Sequence, residues 1–256
     1  MDATLASTDP LMYARAAGLE PARLPRHVAV IMDGNGRWAL GRGWERFNGH
    51  RRGADTVRAI TTECAKLGIP RLTLYAFSSE NWTRPASEVE FLMDLLADFL
   101  RSELPTMLEN NIRLESIGRV DELPERVLFE LANARSATAA NTGTILCLAL
   151  SYGGRDEIVD ACRKLADQAA RGALDPTSID RTTLQSALYA PQAADVDVVI
   201  RSAGERRLSN FLPWQAAYAE YVDHPALWPD FTVADFRSCL LEYQGRERRF
   251  GAVPTR

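Results

Sequence analysis

The chain has 256 residues, of which 46% are apolar and 25% are charged. This composition excludes a disordered or collagen-like chain and is typical of a globular protein with a large core. Thirty basic residues against 34 acidic ones give a net charge of −4, which argues against a surface built to bind nucleic acid. We therefore expect no nucleic-acid partner.

The cysteines and the N-terminal residues indicate where the protein works. Cys64, Cys147, Cys162 and Cys239 are far apart and show neither zinc spacing nor a compact disulfide pattern. The N-terminal residues lack the features of a secretory signal, and no apolar run approaches the roughly 20 residues of a membrane-spanning helix. These features predict reduced thiols, a cytoplasmic location and no membrane span.

Short apolar runs alternate with helical patterns along most of the chain. Residues 1–25 hold three prolines and a short helical pattern, and we predict that they form an N-terminal arm. The runs that predict buried strands are residues 27–32, 72–77, 112–117, 144–150 and 196–200. Apolar residues at helical spacing predict helices that include residues 57–67 and 158–165.

This alternation predicts a single α/β domain over residues 26–251, with residues 252–256 as a C-terminal tail. Its central sheet is expected to be mostly parallel and flanked by helices. One predicted helix, from about Ala86 to Glu103, is apolar on two sides. Such a helix is either buried in the core or the wall of an apolar channel.

The first polar cluster directly follows the first predicted strand. It consists of Asp33, Gly34, Asn35, Gly36, Arg37 and Trp38. Glycines, a helix start and an arginine can cradle an anion, and Asp33 is placed to hold a divalent cation against it. A plain turn is the alternative.

A run of basic residues follows this cluster, with glycines interleaved among them. It contains Arg42, Arg46, His50, Arg51 and Arg52. The glycines favour a loop that folds over a ligand, whereas a solvated basic face is the alternative.

Two further polar clusters also follow predicted strands. Residues 77–85 include Ser78, Asn81, Trp82 and Arg84, and residues 201–210 include Arg201, Arg207 and Ser209. Because parallel strands place their carboxyl ends at one edge, the three clusters are expected to form one site. Arginine suits two multiply charged anions there, since its planar fork binds phosphate oxygens in pairs.

Six stretches together carry a family resemblance: residues 27–39, 72–82, 152–155, 201–210, 227–231 and 246–251. In this order and spacing they resemble the cis-prenyltransferases, or Z-isoprenyl diphosphate synthases, and most of all bacterial undecaprenyl diphosphate synthase. The resemblance implies a homodimeric, magnesium-assisted transferase that condenses isopentenyl diphosphate with an allylic diphosphate, farnesyl diphosphate being the expected primer. It also implies a product such as undecaprenyl diphosphate, used as a lipid carrier in cell-wall glycan synthesis.

The resemblance further implies a role for each matching residue. Asp33 and Glu220 are expected to hold the metal, and Asp33, Ser78 and Asn81 to act in catalysis. The residues expected around the allylic diphosphate are Gly34, Asn35, Gly36, Arg37, Arg46 and His50, and Trp38 is expected to contact substrate. Those expected to hold isopentenyl diphosphate are Arg84, Arg201, Arg207 and Ser209, with Trp82 near the reacting carbons.

The product's hydrocarbon tail needs an apolar space between the sheet and the helices. Burying five carbons gains at most about 4 kcal/mol. A long polyprenyl tail, if tightly enclosed, would exceed the limit of roughly 20 kcal/mol on non-covalent affinity. We therefore expect a loose tunnel, lined by the helix from about Ala86 to Glu103, in which the small Ala76 leaves room for a medium or long product.

Three alternatives remain open from the sequence. The first alternative is a non-catalytic partner subunit of a prenyltransferase. The second is a short-chain Z-prenyl diphosphate synthase, and the third is a protein that binds polyanions through the same arginines. The first is disfavoured because such subunits typically lose the loop that begins at Asp33. A transient membrane contact during product release also stays open.

Overall fold

A computed structural model describes residues 9–193 and 195–247, which form an α/β domain around one six-stranded sheet. Every neighbouring pair of strands is parallel, and the order across the sheet is β3-β4-β2-β1-β5-β6. The strands are β1 (His27–Ile31), β2 (Arg71–Ser78), β3 (Arg113–Ile117), β4 (Ile145–Tyr152), β5 (Val198–Arg201) and β6 (Glu220–Asp223).

Helices cover both faces of the sheet. They are α1 (Pro10–Ala16), α2 (Asn35–Leu40), α3 (Arg46–Leu67), α4 (Ala86–Ser102), α5 (Leu104–Glu109), α6 (Glu125–Ala137), α7 (Gly154–Ala170), α8 (Arg181–Ala187) and α9 (Val233–Gly245). Alternate residues of β1 pack in different cores: Val28 and Val30 with residues of α3, α4, α6 and α9, Ala29 and Ile31 on the opposite face. β1, β4 and β5 are mostly apolar because both of their faces are buried.

The predicted fold class is confirmed, and the five predicted strands correspond to β1 to β5. The sixth strand, β6, was not predicted. It has only four residues at the edge of the sheet, and of these only Val222 is buried. A short edge strand with one buried side chain leaves no apolar run in the sequence.

The described part of the N-terminal arm packs against the domain. In the predicted N-terminal arm, Ala14 and Leu19 are buried in the core, and the Tyr13 hydroxyl donates to Glu63 of α3 at 2.9 Å. Residues 1–8, the end of the last motif at residues 248–251 and the predicted tail at 252–256 lie outside the described residues. The domain boundaries therefore stay predictions.

The basic run after residue 42 is not a loop over most of its length, so that prediction was wrong. Arg46 begins α3, a 22-residue helix that ends before Gly68. Its glycines serve close packing: a Cβ atom on Gly49 would lie 1.9 Å from the Asn35 carbonyl oxygen, and one on Gly53 would lie 2.4 Å from Asn35 Oδ1. The glycines therefore let α3 pack directly against the Asp33 cluster.

Gly49→Ala is expected to destabilise the protein by about 2 to 3 kcal/mol, because the added methyl group overlaps backbone that must then move. Gly245→Ala, in α9, is the matched control, since its Cβ would meet no atom within 4 Å. The control should be neutral or stabilising by up to about 1 kcal/mol. Urea denaturation of both variants measures the difference, and equal midpoints would refute the close packing.

The structure bears on the expected reduced thiols and on the expected absence of a membrane span. All four cysteines are free, with Cys64, Cys147 and Cys239 buried and Cys162 exposed. Within the described ranges, no helix combines the length and hydropathy that a membrane span requires.

Candidate active site

The predicted clusters meet where the chain changes direction across the sheet. From β1 the chain moves to β2 on one side and later returns to β5 on the other. Ligands of parallel α/β sheets bind at such a switch point, beyond the carboxyl ends of the strands. Here Asp33 follows β1, and Arg201 is the last residue of β5.

Asp33 is held by two arginines. Arg201 Nη2 donates to Asp33 Oδ2 at 2.8 Å, and Arg37 Nη2 donates to Oδ1 at 3.1 Å. Burial alone would raise the pKa of the Asp33 carboxyl, but the hydrogen bonds and charges of Arg201 and Arg37 outweigh it and lower the pKa. Asp33 is therefore a carboxylate near neutral pH and is available to a cation.

The glycines of this cluster let other chain segments come close. Gly34 has a φ of 102°, a left-handed conformation that favours glycine, and its Cβ would lie 2.8 Å from Leu227 Cδ2. A Cβ on Gly36 would lie 3.0 Å from the guanidinium of Arg46. The first polar cluster is thus not a plain turn: it leads into α2, and Leu227 and Arg46 pack closely against its glycines.

A cavity of about 320 Å³ opens beside Asp33 and extends between the sheet and α3 and α4. The polar residues that line it are Asp33, Asn35, His50, Ser78, Asn81, Arg84, Arg201 and Ser209. Apolar residues line it as well, among them Leu74, Ala76, Leu92, Leu95, Leu96 and Phe99. The cavity therefore has a charged part and an apolar part that are continuous with each other.

Helix α4 accounts for the apolar wall. Ala97 and Leu100 are buried in the core, Leu92, Leu95 and Phe99 line the cavity as partly buried residues, and the buried Met93 contacts both. The core reading of the two-sided pattern is therefore confirmed, and on another side the helix lines this cavity. The structure outlines a cavity here, and a continuous tunnel stays a prediction.

Four buried polar atoms of the site lack a hydrogen-bond partner among the described residues: Asn35 Oδ1, Trp38 Nε1, His50 Nε2 and Arg201 Nε. Buried polar atoms are nearly always paired, and three of these four belong to residues that line the cavity, as a binding site for a polar ligand requires. Burial lowers the pKa of His50 to about 4, and the positive charges of Arg84 and Arg46 add to this effect against that of Glu88. An anion bound beside the ring would act in the opposite direction and raise this pKa.

Two carboxylates that we did not predict hold the arginines of the site. Glu88, buried on α4, accepts from Arg84 Nη1 at 2.9 Å and lies 3.8 Å from Arg46 Nε. Glu205 pairs with Arg37 at 3.5 Å and with Arg207 at 2.5 Å. The only sequence signal for Glu88 is its position four residues after Arg84, which is common on any helix.

The segment after β2 places Ser78, Asn81 and Trp82. Ser78 and Asn81 form reciprocal capping hydrogen bonds, with Ser78 N donating to Asn81 Oδ1 at 3.1 Å. Trp82 Nε1 donates to Ser151 Oγ at 2.8 Å, and its ring packs edge-on against Phe77. Ser78 and Asn81 therefore reach the cavity from a segment with a fixed backbone.

Several predicted site residues lie beside the cavity without lining it: Gly34, Gly36, Arg37, Trp38, Arg46, Trp82 and Arg207. Arg37, Arg46 and Arg207 are exposed near its mouth, whereas Trp38 is buried beneath Arg42, whose guanidinium lies 4.1 Å from the ring centre. These predicted residues therefore lie around the residues that line the cavity.

Glu220, the second predicted metal ligand, does not lie beside Asp33. It begins β6 and pairs with Val198, three residues before Arg201, so it is roughly 10 Å from the carboxyl edge. Its carboxylate accepts from Arg246 Nη1 at 2.9 Å. A single chain therefore does not bring Glu220 beside Asp33.

The fold and the site together define a class of protein. Arginines, a carboxylate and unpaired donors at a switch point suit an anionic head group, and the apolar cavity behind them suits a hydrocarbon tail. The class is an α/β protein that binds lipid-like anions.

Comparison with known proteins identifies the family. Residues 31–251 match the model of a prenyltransferase family described as putative undecaprenyl diphosphate synthase. Two curated isoprenyl transferases, from Geobacter sulfurreducens and Heliobacterium mobile, are 49% and 47% identical to the chain. The matches cover 91% and 92% of this chain and 95% and 90% of those proteins.

Solved structures show the same similarity. Lavandulyl diphosphate synthase from Lavandula x intermedia, in complex with dimethylallyl diphosphate, has a TM-score of 0.88 and 38% identity, covering 90% of this chain and 99% of that one. A probable undecaprenyl diphosphate synthase from Campylobacter jejuni has a TM-score of 0.74 and 33% identity, covering 89% and 98%. The chain belongs to the undecaprenyl diphosphate synthase family and is a cis-prenyltransferase.

Proposed function

We propose that the protein condenses isopentenyl diphosphate repeatedly with an allylic diphosphate, farnesyl diphosphate being the expected primer, and forms a Z double bond in each cycle. The observation that carries this proposal is the joined cavity: Asp33, His50, Arg84 and Arg201 line one part of it, and the apolar residues of α4 line another. The similar lavandulyl enzyme was solved with an allylic diphosphate bound, which supports this class of substrate.

The arginines assist departure of the allylic diphosphate. When its bond to carbon breaks, the leaving group gains negative charge, and donors already in place stabilise that charge more than they stabilise the substrate. Arg37 and Arg46 are exposed near the mouth beside the Asp33 loop, and His50 has an unpaired buried Nε2. We assign these three residues, with the backbone of Gly34 to Gly36, to the allylic diphosphate.

The second diphosphate belongs to isopentenyl diphosphate. Arg201 contacts Ser209, whose Oγ accepts from Arg201 Nη1 at 2.7 Å, and Arg207 through its carbonyl oxygen. Together with Arg84 across the mouth, these residues form the second subsite. Ser78 and Asn81 line the cavity between the two groups, so we assign the positioning of the reacting carbons and of the departing proton to them.

Asp33 is the carboxylate that fits magnesium. Magnesium is usually held by one or two carboxylates together with substrate phosphates and water, and Asp33 is an ionised carboxylate at the cavity mouth. When bound, magnesium supplies positive charge against the diphosphate oxygens. The chain's own contribution is to orient Asp33 through Arg37 and Arg201.

We further propose a medium or long product, undecaprenyl diphosphate or a similar lipid, that serves as a carrier for cell-wall glycan synthesis. The cavity supports this length because Ala76 is small where β2 faces α4. A short-chain product is the second candidate, since the lavandulyl enzyme is similar over most of the chain. We also propose that the protein is a homodimer and that it is cytoplasmic. Sedimentation of the purified protein tests the homodimer.

One assay tests the function and separates the two product lengths. The purified chain is incubated with magnesium, farnesyl diphosphate and labelled isopentenyl diphosphate, and the extracted lipids are sized by reversed-phase thin-layer chromatography. We expect a ladder that ends at a medium or long chain. A single short product would select the second candidate, and no labelled lipid would refute the proposed reaction.

Arg201→Ala is expected to raise the KM for isopentenyl diphosphate by about 10- to 100-fold, because charged hydrogen bonds to one diphosphate are lost. The KM for the allylic primer should change much less. Arg206→Ala is the matched control, since Arg206 is an exposed arginine of the same loop paired with Asp223 at 3.0 Å. An equal effect of the two variants on isopentenyl diphosphate would contradict the assignment of Arg201.

A further inference from the structure

The loop after β5 carries an asparagine, Asn210, whose conformation is unusual. Asn210 has a φ of 61° and its neighbour Ser209 a φ of 50°, both in the left-handed region. Such residues cost about 1 to 3 kcal/mol each and persist only where the surrounding structure holds them. Ser209 lines the cavity and contacts Arg201, so whatever holds Asn210 also holds part of the site.

Asn210 is held first by the start of α7. Gly154 N donates to the Asn210 carbonyl oxygen at 2.8 Å, and Arg155 N donates to Asn210 Oδ1 at 2.9 Å. The first N–H groups of a helix need partners from outside it, and the N-cap residue Gly153 has no side chain to supply one. A residue far away in sequence therefore caps α7.

The two glycines before Arg155 permit this contact. A Cβ on Gly154 would lie 2.0 Å from Pro213 Cδ, in the chain just after Asn210, and 3.0 Å from the Asn210 carbonyl oxygen. One on Gly153 would lie 2.6 Å from Ser79 Oγ and 3.0 Å from Asn210 Nδ2. The motif at residues 152–155 has no other role in the proposed reaction. Its glycines make room for the loop that carries Ser209.

Asn210 is held on its other side by the segment after β2. Its Nδ2 donates to Glu80 Oε1 at 3.0 Å. Glu80 immediately precedes Asn81, and the same segment is fixed to α7 by Ser79 Oγ, which donates to Asp156 Oδ2 at 3.1 Å. One side chain thus connects the loop of Ser209, the segment of Asn81 and the start of α7.

We infer that Asn210 is a positioning residue for isopentenyl diphosphate: it fixes the diphosphate donors Arg201 and Ser209 relative to Asn81. Asn210 does not line the cavity itself but an adjoining depression that shares Ser78 and Ser209 with it, and it acts on the subsite through these neighbours. A displacement of about 1 Å between reacting groups can lower a rate by about 100-fold. The inference rests on the proposed function, because it assigns a role within the second subsite.

Asn210→Asp tests the inference with little change of shape. The new carboxylate can still accept from Arg155 N, but it repels Glu80 where the amide donated. We expect the KM for isopentenyl diphosphate to rise about tenfold and kcat to fall, while the KM for the allylic primer stays within about twofold. The double variant Asn210→Asp with Glu80→Gln restores the bond with donor and acceptor exchanged, and it should recover most of the loss.

Glu80→Ala provides a second variant, which breaks the same bond and leaves the loop unchanged. It should show the same selective defect. Normal kinetics in both single variants, an equal rise of both KM values, or no recovery in the double variant would overturn the inference. If the unmodified protein makes no prenyl product, the proposed function fails instead. Calorimetric titration of isopentenyl diphosphate then decides the inference, with about tenfold weaker binding by Asn210→Asp expected and equal binding overturning it.

Discussion

Asp33→Ala is expected to lower kcat by about a thousandfold or more while the protein stays folded. Asp33 is the carboxylate that we assign to magnesium, and it also orients Arg37 of the allylic subsite and Arg201 of the isopentenyl subsite, so its loss weakens the electrostatic contacts to both diphosphates. Losing a single preorganised electrostatic contact typically costs about 100- to 1,000-fold. Because Asp33 contacts both Arg37 and Arg201, its loss should lower kcat at least as much.

The isosteric variant Asp33→Asn separates charge from packing. It keeps an acceptor for one arginine, but it cannot neutralise Arg201, which is 7% exposed. We expect nearly the same loss of kcat in a protein that still folds, with a melting temperature lowered by several degrees because the buried guanidinium of Arg201 loses its carboxylate. The matched control is Asp167→Asn, an exposed carboxylate whose ion pair with Arg171 at 2.8 Å lies on α7. Turnover by Asp33→Asn near the control level would remove Asp33 from the catalytic role.

The parts of the fold that follow from local patterns could be predicted from the sequence. Strands buried on both faces are nearly continuous apolar runs, so β1, β2, β4 and β5 could be predicted, and the carboxyl-edge rule brought Asp33 and Arg201 to one site. The apolar wall was visible as a helix with two apolar sides. These features depend on residues that are close together in the sequence.

The features that were missed depend on contacts between distant segments. Gly49 and Gly53 indicated a loop by composition, but they pack α3 against Asn35, about 15 residues earlier in the chain. Similarly, Glu88 and Glu205 are ordinary surface residues by pattern, and only the folded chain shows that they hold the arginines of the site. Glu220 was assigned by resemblance, which carries no position within the sheet.

Ala76→Leu is expected to shorten the main product by one or more five-carbon units. Ala76 lies on β2 and lines the cavity together with Leu92 and Leu96 of α4. A larger side chain there occupies space that the growing tail needs, and a well-packed wall cannot move without cost. Once the tail meets the leucine, further elongation must compress the wall, so release becomes faster than the next condensation.

Ala132→Leu is the matched control, since Ala132 is exposed on α6 and the same three carbons are added outside the cavity. The first condensation should be little affected in either variant, because Asp33 and Arg201 remain in place. Chromatographic sizing of the dephosphorylated products measures the outcome. A product of unchanged length from Ala76→Leu, or equal shortening by the control, would show that the tail does not pass Ala76. In that case the cavity between the sheet and α4 is not the path of elongation.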